Sequence, residues 1–100
     1  MDRQGLAQGL EQFLAALAKG DAHAVPWAAN VRTSQNNVML DPDDGVWQTI
    51  TGLGDYRLSF FDPVSGGIGF FGTIIEPQEE SAFSLRLKAN DAGAIEECEM

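Results

Sequence analysis

Residues 56–89 read YRLSFFDPVSGGIGFFGTIIEPQEESAFSLRLKA, and they decide the fold. Tyr56, Leu58 and Phe60 alternate with Arg57, Ser59 and Phe61, a period of two that belongs to a strand. Pro63-Val64-Ser65-Gly66-Gly67 is turn chemistry, and a second run from Ile68 to Glu76 follows it. Pro77-Gln78-Glu79-Glu80 turns the chain again, into a third run from Ser81 to Ala89. There Phe83, Leu85 and Leu87 oppose Ser84, Arg86 and Lys88. After Asn90-Asp91-Ala92-Gly93 a last strand runs from Ala94 to Met100. Strands joined by three- to five-residue turns make an antiparallel meander. The glycines at 66, 67, 69 and 72 serve the turn and a bend in a curved sheet.

The period changes upstream. Leu6, Leu10, Phe13, Leu14 and Leu17 fall on one face of a helix, supported by alanines at 7, 15, 16 and 18. Lys19 suits the helix C-terminus and Gly20 a left-handed cap. Asp21 is placed to cap a short second helix, Ala22 to Val25, which Pro26 closes. From Asn30, Val31, Thr33 and Gln35 alternate as a strand, Asn36-Asn37 turns, and Val38-Met39-Leu40 returns. Asp41-Pro42-Asp43-Asp44-Gly45 leads into a short helical turn from Val46 to Thr51, ending at Gly52 or Gly54. The pattern is α+β, with helices covering one face of a curved sheet.

The chain has 100 residues, 44% of them apolar, enough for one domain and one modest core. Its net charge is −9, and residues 1–40 balance three acids with three bases, so all the excess lies in residues 41–100. Such acidity repels phosphate backbones and anionic membranes, which argues against nucleic-acid and membrane partners. No apolar run approaches the ~20 residues that cross a bilayer, and no signal sequence opens the chain. The lone Cys98 argues against a disulfide framework. Together these predict a cytoplasmic location.

Asn30-Val31-Arg32, Gly45-Val46-Trp47, Thr51-Gly52-Leu53-Gly54, Tyr56-Arg57-Leu58, Phe61-Asp62-Pro63, Gly69-Phe70-Phe71-Gly72, Leu85-Arg86-Leu87-Lys88 and Gly93-Ala94-Ile95-Glu96-Glu97 carry a family resemblance from about Leu10 onward. With a Gly-Asp turn after the first helix and an Ala-Ala-Asn-Val entry to the first strand, the chain resembles the nuclear transport factor 2-like superfamily. Ketosteroid isomerase, scytalone dehydratase and SnoaL-type cyclases belong to that superfamily. The resemblance implies a cone-like curved antiparallel β-sheet wrapped around the N-terminal helix, a cystatin-like α+β roll. It also implies an apolar pocket at the wide end and a homodimer through the sheet. Residues 1–100 then form one such domain, cut short within the last strand, because members commonly run longer.

The superfamily's chemistry does not carry over. The isomerase needs a carboxylate base on the first strand and acidic hydrogen-bond donors for the enolate oxygen. The resemblance places the base at Thr33, flanked by Arg32 and Ser34, and a helix tyrosine at Phe13. Dehydratases and cyclases rest on His–Asp pairs, whereas this chain has one histidine, His23, beside a capping aspartate. No ligand spacing points to a metal, and Asp41-Pro42-Asp43-Asp44-Gly45 lacks the later glutamate of a calcium loop. Glu97 and Glu99 flank Cys98 and blunt its thiolate. Arg57 and Arg86 read as salt-bridge partners for the abundant acids. The catalytic residues are therefore unknown, and no cofactor is expected.

Nine aromatic residues remain. Most fill a core, and Phe13, Trp27, Trp47 and Tyr56 are the candidate walls of an apolar pocket, with Thr33 and Gln35 its polar points. Two functions stay open. One is a pocket for a hydrophobic small molecule, extending to a cofactor-free isomerase or cyclase. The other is a non-catalytic homodimeric interaction or ligand-binding module.

Overall fold

The computed structural model describes residues 2–100. Helix α1 spans Arg3–Ala18 and strands follow at Trp27–Gln35 (β1), Val38–Leu40 (β2), Gly52–Asp62 (β3), Gly67–Glu76 (β4), Glu79–Ala89 (β5) and Ile95–Glu99 (β6). Short 3-10 turns occupy Ala22–Ala24 and Gly45–Gln48. The Asp2 side chain caps α1 by accepting the Gly5 N–H at 2.8 Å. Gly20 ends it with φ of +64°, the left-handed cap its sequence implies. Asp21 makes no side-chain cap at the first 3-10 turn.

The six strands form one sheet in the order β2-β1-β6-β5-β4-β3. The predicted meander is present, with β3, β4, β5 and β6 pairing antiparallel in succession. Its last strand then lies parallel to β1, so the sheet is mixed and open at both edges. Asn36 and Asn37, at φ of 50° and 65°, make the tight turn between β1 and β2.

Two strands are longer than their alternation suggests. β1 begins at Trp27, because Trp27 pairs with Ile95 before the register shifts ahead of Arg32. β3 begins at Gly52, where Gly52 and Leu53 pair with Ile75 and Ile74. An irregularity between Leu53 and Arg57 separates those pairs from the regular run. Gly54 is a strand residue there, not a helix stop. A Cβ on it would collide with the Thr73 hydroxyl and the Glu80 carboxylate.

The core lies between α1 and the sheet. Leu6, Leu10, Phe13, Leu14, Ala16 and Leu17 of the helix are buried against Ile68, Phe70, Leu85, Leu87, Ile95 and Cys98. Register supplies the order: Ile68 opposes Leu87, Phe70 opposes Leu85, and Leu87 opposes Cys98, so all share the helix side. No helix among the described residues is long and apolar enough to cross a membrane.

Candidate functional site

Three of the predicted pocket residues meet in one cluster. The Phe13 ring lies 6.1 Å from Trp27 and 5.5 Å from Trp47, and the two indoles are 6.1 Å apart. All three pairs are edge-to-face, an arrangement that aromatic quadrupoles favour. Phe13 and Trp47 are buried, and Trp27 is half-buried with its Nε1–H donating to the Ala22 carbonyl at 2.8 Å. Helix, first strand and the Gly45–Gln48 turn are thus packed together through rings.

Thr33 is buried, and its hydroxyl donates to the Leu40 carbonyl across the β1–β2 hairpin. Gln35 does structural work at both ends of its amide. Its Nε2 donates to the Asp44 carbonyl and its Oε1 accepts the Val46 N–H, each at 2.9 Å. Gly45 sits between them at φ of +69°, and a Cβ there would collide with that amide. Gln35 therefore fixes the turn that carries Trp47 into the core.

That turn forms one wall of a cleft. About 630 Å³ opens between the end of β1, the 45–49 turn, the end of β4 and the start of β5. Val46, Ile74, Phe83 and Met100 give it apolar walls, with Gln35, Thr49 and Glu76 among its polar groups. Thr49 donates its hydroxyl to the Glu76 carboxylate. Gln35 is the one predicted site residue in this lining. Glu76 was not singled out from sequence, although Ile68, Phe70, Gly72, Ile74 and Glu76 alternate onto one strand face. A smaller cavity of about 240 Å³ lies between α1 and β3, where Arg57 pairs with Glu11.

Tyr56 stands apart from the other predicted residues. It lies on the outer face of the sheet, 61% exposed, with Leu58, Phe60 and Phe71 at 45%, 53% and 47%. Phe60 and Phe71 meet edge-to-face at 6.2 Å across β3 and β4. His23 is exposed in the first 3-10 turn. Arg86 bonds Glu97 at 2.6 Å and Glu99 at 2.9 Å, as the salt-bridge reading expects. Those bonds hold both carboxyls below the usual carboxylate range. Burial first, then the nearby Glu99 charge, pushes the Cys98 thiol up to about 12. Among the described residues no group of three or more His, Cys, Asp or Glu side chains is placed to hold a metal ion.

Solved structures share this arrangement of one helix inside a curved sheet. AusH from Aspergillus nidulans matches with a TM-score of 0.75 at 13% identity, over 98% of this chain and 83% of its own. A protein from Agrobacterium tumefaciens, assigned as an isomerase of the SnoaL-like family, matches with a TM-score of 0.61 at 15% identity, over 96% and 95%. A designed nuclear transport factor 2 fold, NT-9, matches with a TM-score of 0.60 at 12% identity, over 100% and 85%. The chain has the nuclear transport factor 2-like fold. No protein-family model matches the sequence, and no curated protein matches it. At these identities the likeness extends to the fold alone, and this scaffold hosts many functions.

Proposed function

We propose that the chain binds a small, largely apolar molecule in the cleft between the 45–49 turn and the β4–β5 hairpin. One observation carries this reading: a space of about 630 Å³ with apolar walls from Val46, Ile74, Ala82, Phe83 and Met100 and polar points from Gln35, Asn36, Thr49, Glu76 and Ser84. Such a site binds by burying apolar surface and orients its ligand through the polar points. The catalytic form of the reading is a cofactor-free isomerase or cyclase acting on that molecule. The shared fold with the Agrobacterium protein supports it. Nile red fluorescence tests the binding. The protein should bind the dye, and Ile74→Trp, which fills the cleft, should weaken binding at least tenfold while circular dichroism stays native. Met100→Trp provides a second filling variant at the rim. Binding unchanged in both folded variants rejects the cleft.

A second reading rests on a different surface. Tyr56, Leu58, Phe60 and Phe71 form an exposed apolar patch on the outer face, larger in character than scattered single residues. It supports self-association through the sheet, the interaction-module alternative. Sedimentation velocity should show a dimer that Phe60→Lys with Phe71→Lys converts to monomer. A native protein that stays monomeric at high concentration rejects this reading.

A further inference from the structure

We infer that the cleft selects apolar molecules carrying a protonated amine, held by the Glu76 carboxylate; the inference rests on the cleft reading proposed above. Glu76 is the one ionisable side chain lining the space. Its inward place is built into the strand, since Ile74 and Glu76 follow Phe70 and Gly72 on the face that packs against α1. Glu76 is half-buried as a residue, and its carboxylate accepts one exposed hydrogen bond, from the Thr49 hydroxyl. No lysine, arginine or histidine among the described residues pairs with it. A carboxylate offers about four acceptor positions, so most of its capacity is left for a ligand.

The other polar side chains of the lining, Gln35, Asn36, Thr49 and Ser84, are uncharged and cannot provide the same recognition. Both ends of the Gln35 amide are committed to Asp44 and Val46. The Thr49 hydroxyl already lies against the Glu76 carboxylate and, at 3.4 Å, the Val46 carbonyl. A ligand hydroxyl would gain an ordinary hydrogen bond from Glu76, whereas an ammonium gains a charge-assisted one. A ligand carboxylate would face like charge. The cross-strand neighbour of Glu76 is Glu79, whose carboxylate accepts the Ser81 hydroxyl at 2.6 Å, and it adds no cation. The net charge of −9 favours the approach of cations to the molecule as a whole.

Three probes that share one fused-ring body separate the terms: 1-pyrenemethylamine, 1-pyrenemethanol and 1-pyrenecarboxylic acid, followed by fluorescence. The native protein should bind the amine about tenfold more tightly than the alcohol, the scale of one charge-assisted bond. The acid should bind most weakly. Glu76→Gln should bring the amine down to the alcohol and leave the alcohol unchanged. Glu79→Gln, a neighbouring carboxylate outside the cleft lining, should keep the amine preference. Alcohol and amine binding equally to the native protein overturns the amine selection while leaving the cleft intact. A preference that survives Glu76→Gln assigns it to the general charge of the surface and likewise overturns it. Binding of no probe, or binding that Ile74→Trp leaves unchanged, overturns the cleft and this inference together.

Discussion

Gln35→Leu is the most informative perturbation of the fold around the cleft. Leucine keeps the approximate shape of glutamine and removes both hydrogen-bonding ends. The Asp44 carbonyl loses its donor and the Val46 N–H loses its acceptor, two bonds of 2.9 Å. A net hydrogen bond contributes about 1 kcal/mol, and an orphaned partner in a buried site costs more. Gln35 is only half-buried, so water reaches part of the site, and the loss should be about 2 kcal/mol. In a domain of this size that lowers Tm by about 8–16 °C. Urea unfolding followed by tryptophan fluorescence reads it well, because Trp47 sits in the same turn. The midpoint should fall with an unchanged slope. Gln35→Glu sharpens the test. Its carboxylate still accepts the Val46 N–H but faces the Asp44 carbonyl lone pairs. The damage should be present at pH 7 and shrink in acid, as the protonated carboxyl becomes able to donate. A change of less than about 0.5 kcal/mol for Gln35→Leu, within the range of an ordinary surface substitution, refutes the argument that this amide holds the turn.

Three further outcomes follow from the packing and the charges. Phe13→Ala should cost about 3–5 kcal/mol, because it empties a ring site that is 1% exposed and touches both indoles; calorimetry reads the loss. Cys98 should resist a thiol reagent such as dithionitrobenzoate at pH 8 in the native protein and react fully in denaturant, since burial holds its thiol up at about 12. Glu97 and Glu99 have native carboxyls held below their ordinary range by Arg86. Their stabilisation is therefore present above the unfolded carboxylate range and lost as pH falls through the native values. Arg86→Met should flatten that acid limb in urea titrations between pH 7 and pH 3.

The meander was legible because each strand carries its own alternation and each turn its own chemistry. Phe83, Leu85 and Leu87 announce a buried face without reference to any other segment. The helix was legible for the same reason, from Leu6 to Leu17. The early starts of β1 and β3 were not. Trp27 is a strand residue because Ile95, 68 positions later, lies beside it in parallel. Gly52 and Gly54 look like breakers locally, and only the Ile74 and Ile75 pairing and the Thr73 hydroxyl make them strand residues.

The candidate site divides along the same physical line. Aromatic count pointed to Phe13, Trp27 and Trp47, and the structure does bring them together. Their mutual edge contacts spend the rings on one another, at the junction of helix, strand and turn. Tyr56 shares their chemistry but not their face, since its strand alternation with Leu58 and Phe60 sends it outward. The same alternation, read along β4 rather than β3, leads from Ile68 to Glu76 and ends on a carboxylate facing inward. What no local pattern could supply is the opening beside it. That opening exists because Gln35 draws the 44–46 backbone against β1, and Thr49 then reaches the end of β4. A residue type can be read from one strand; an accessible cleft requires the positions of three segments that the chain brings together only when folded.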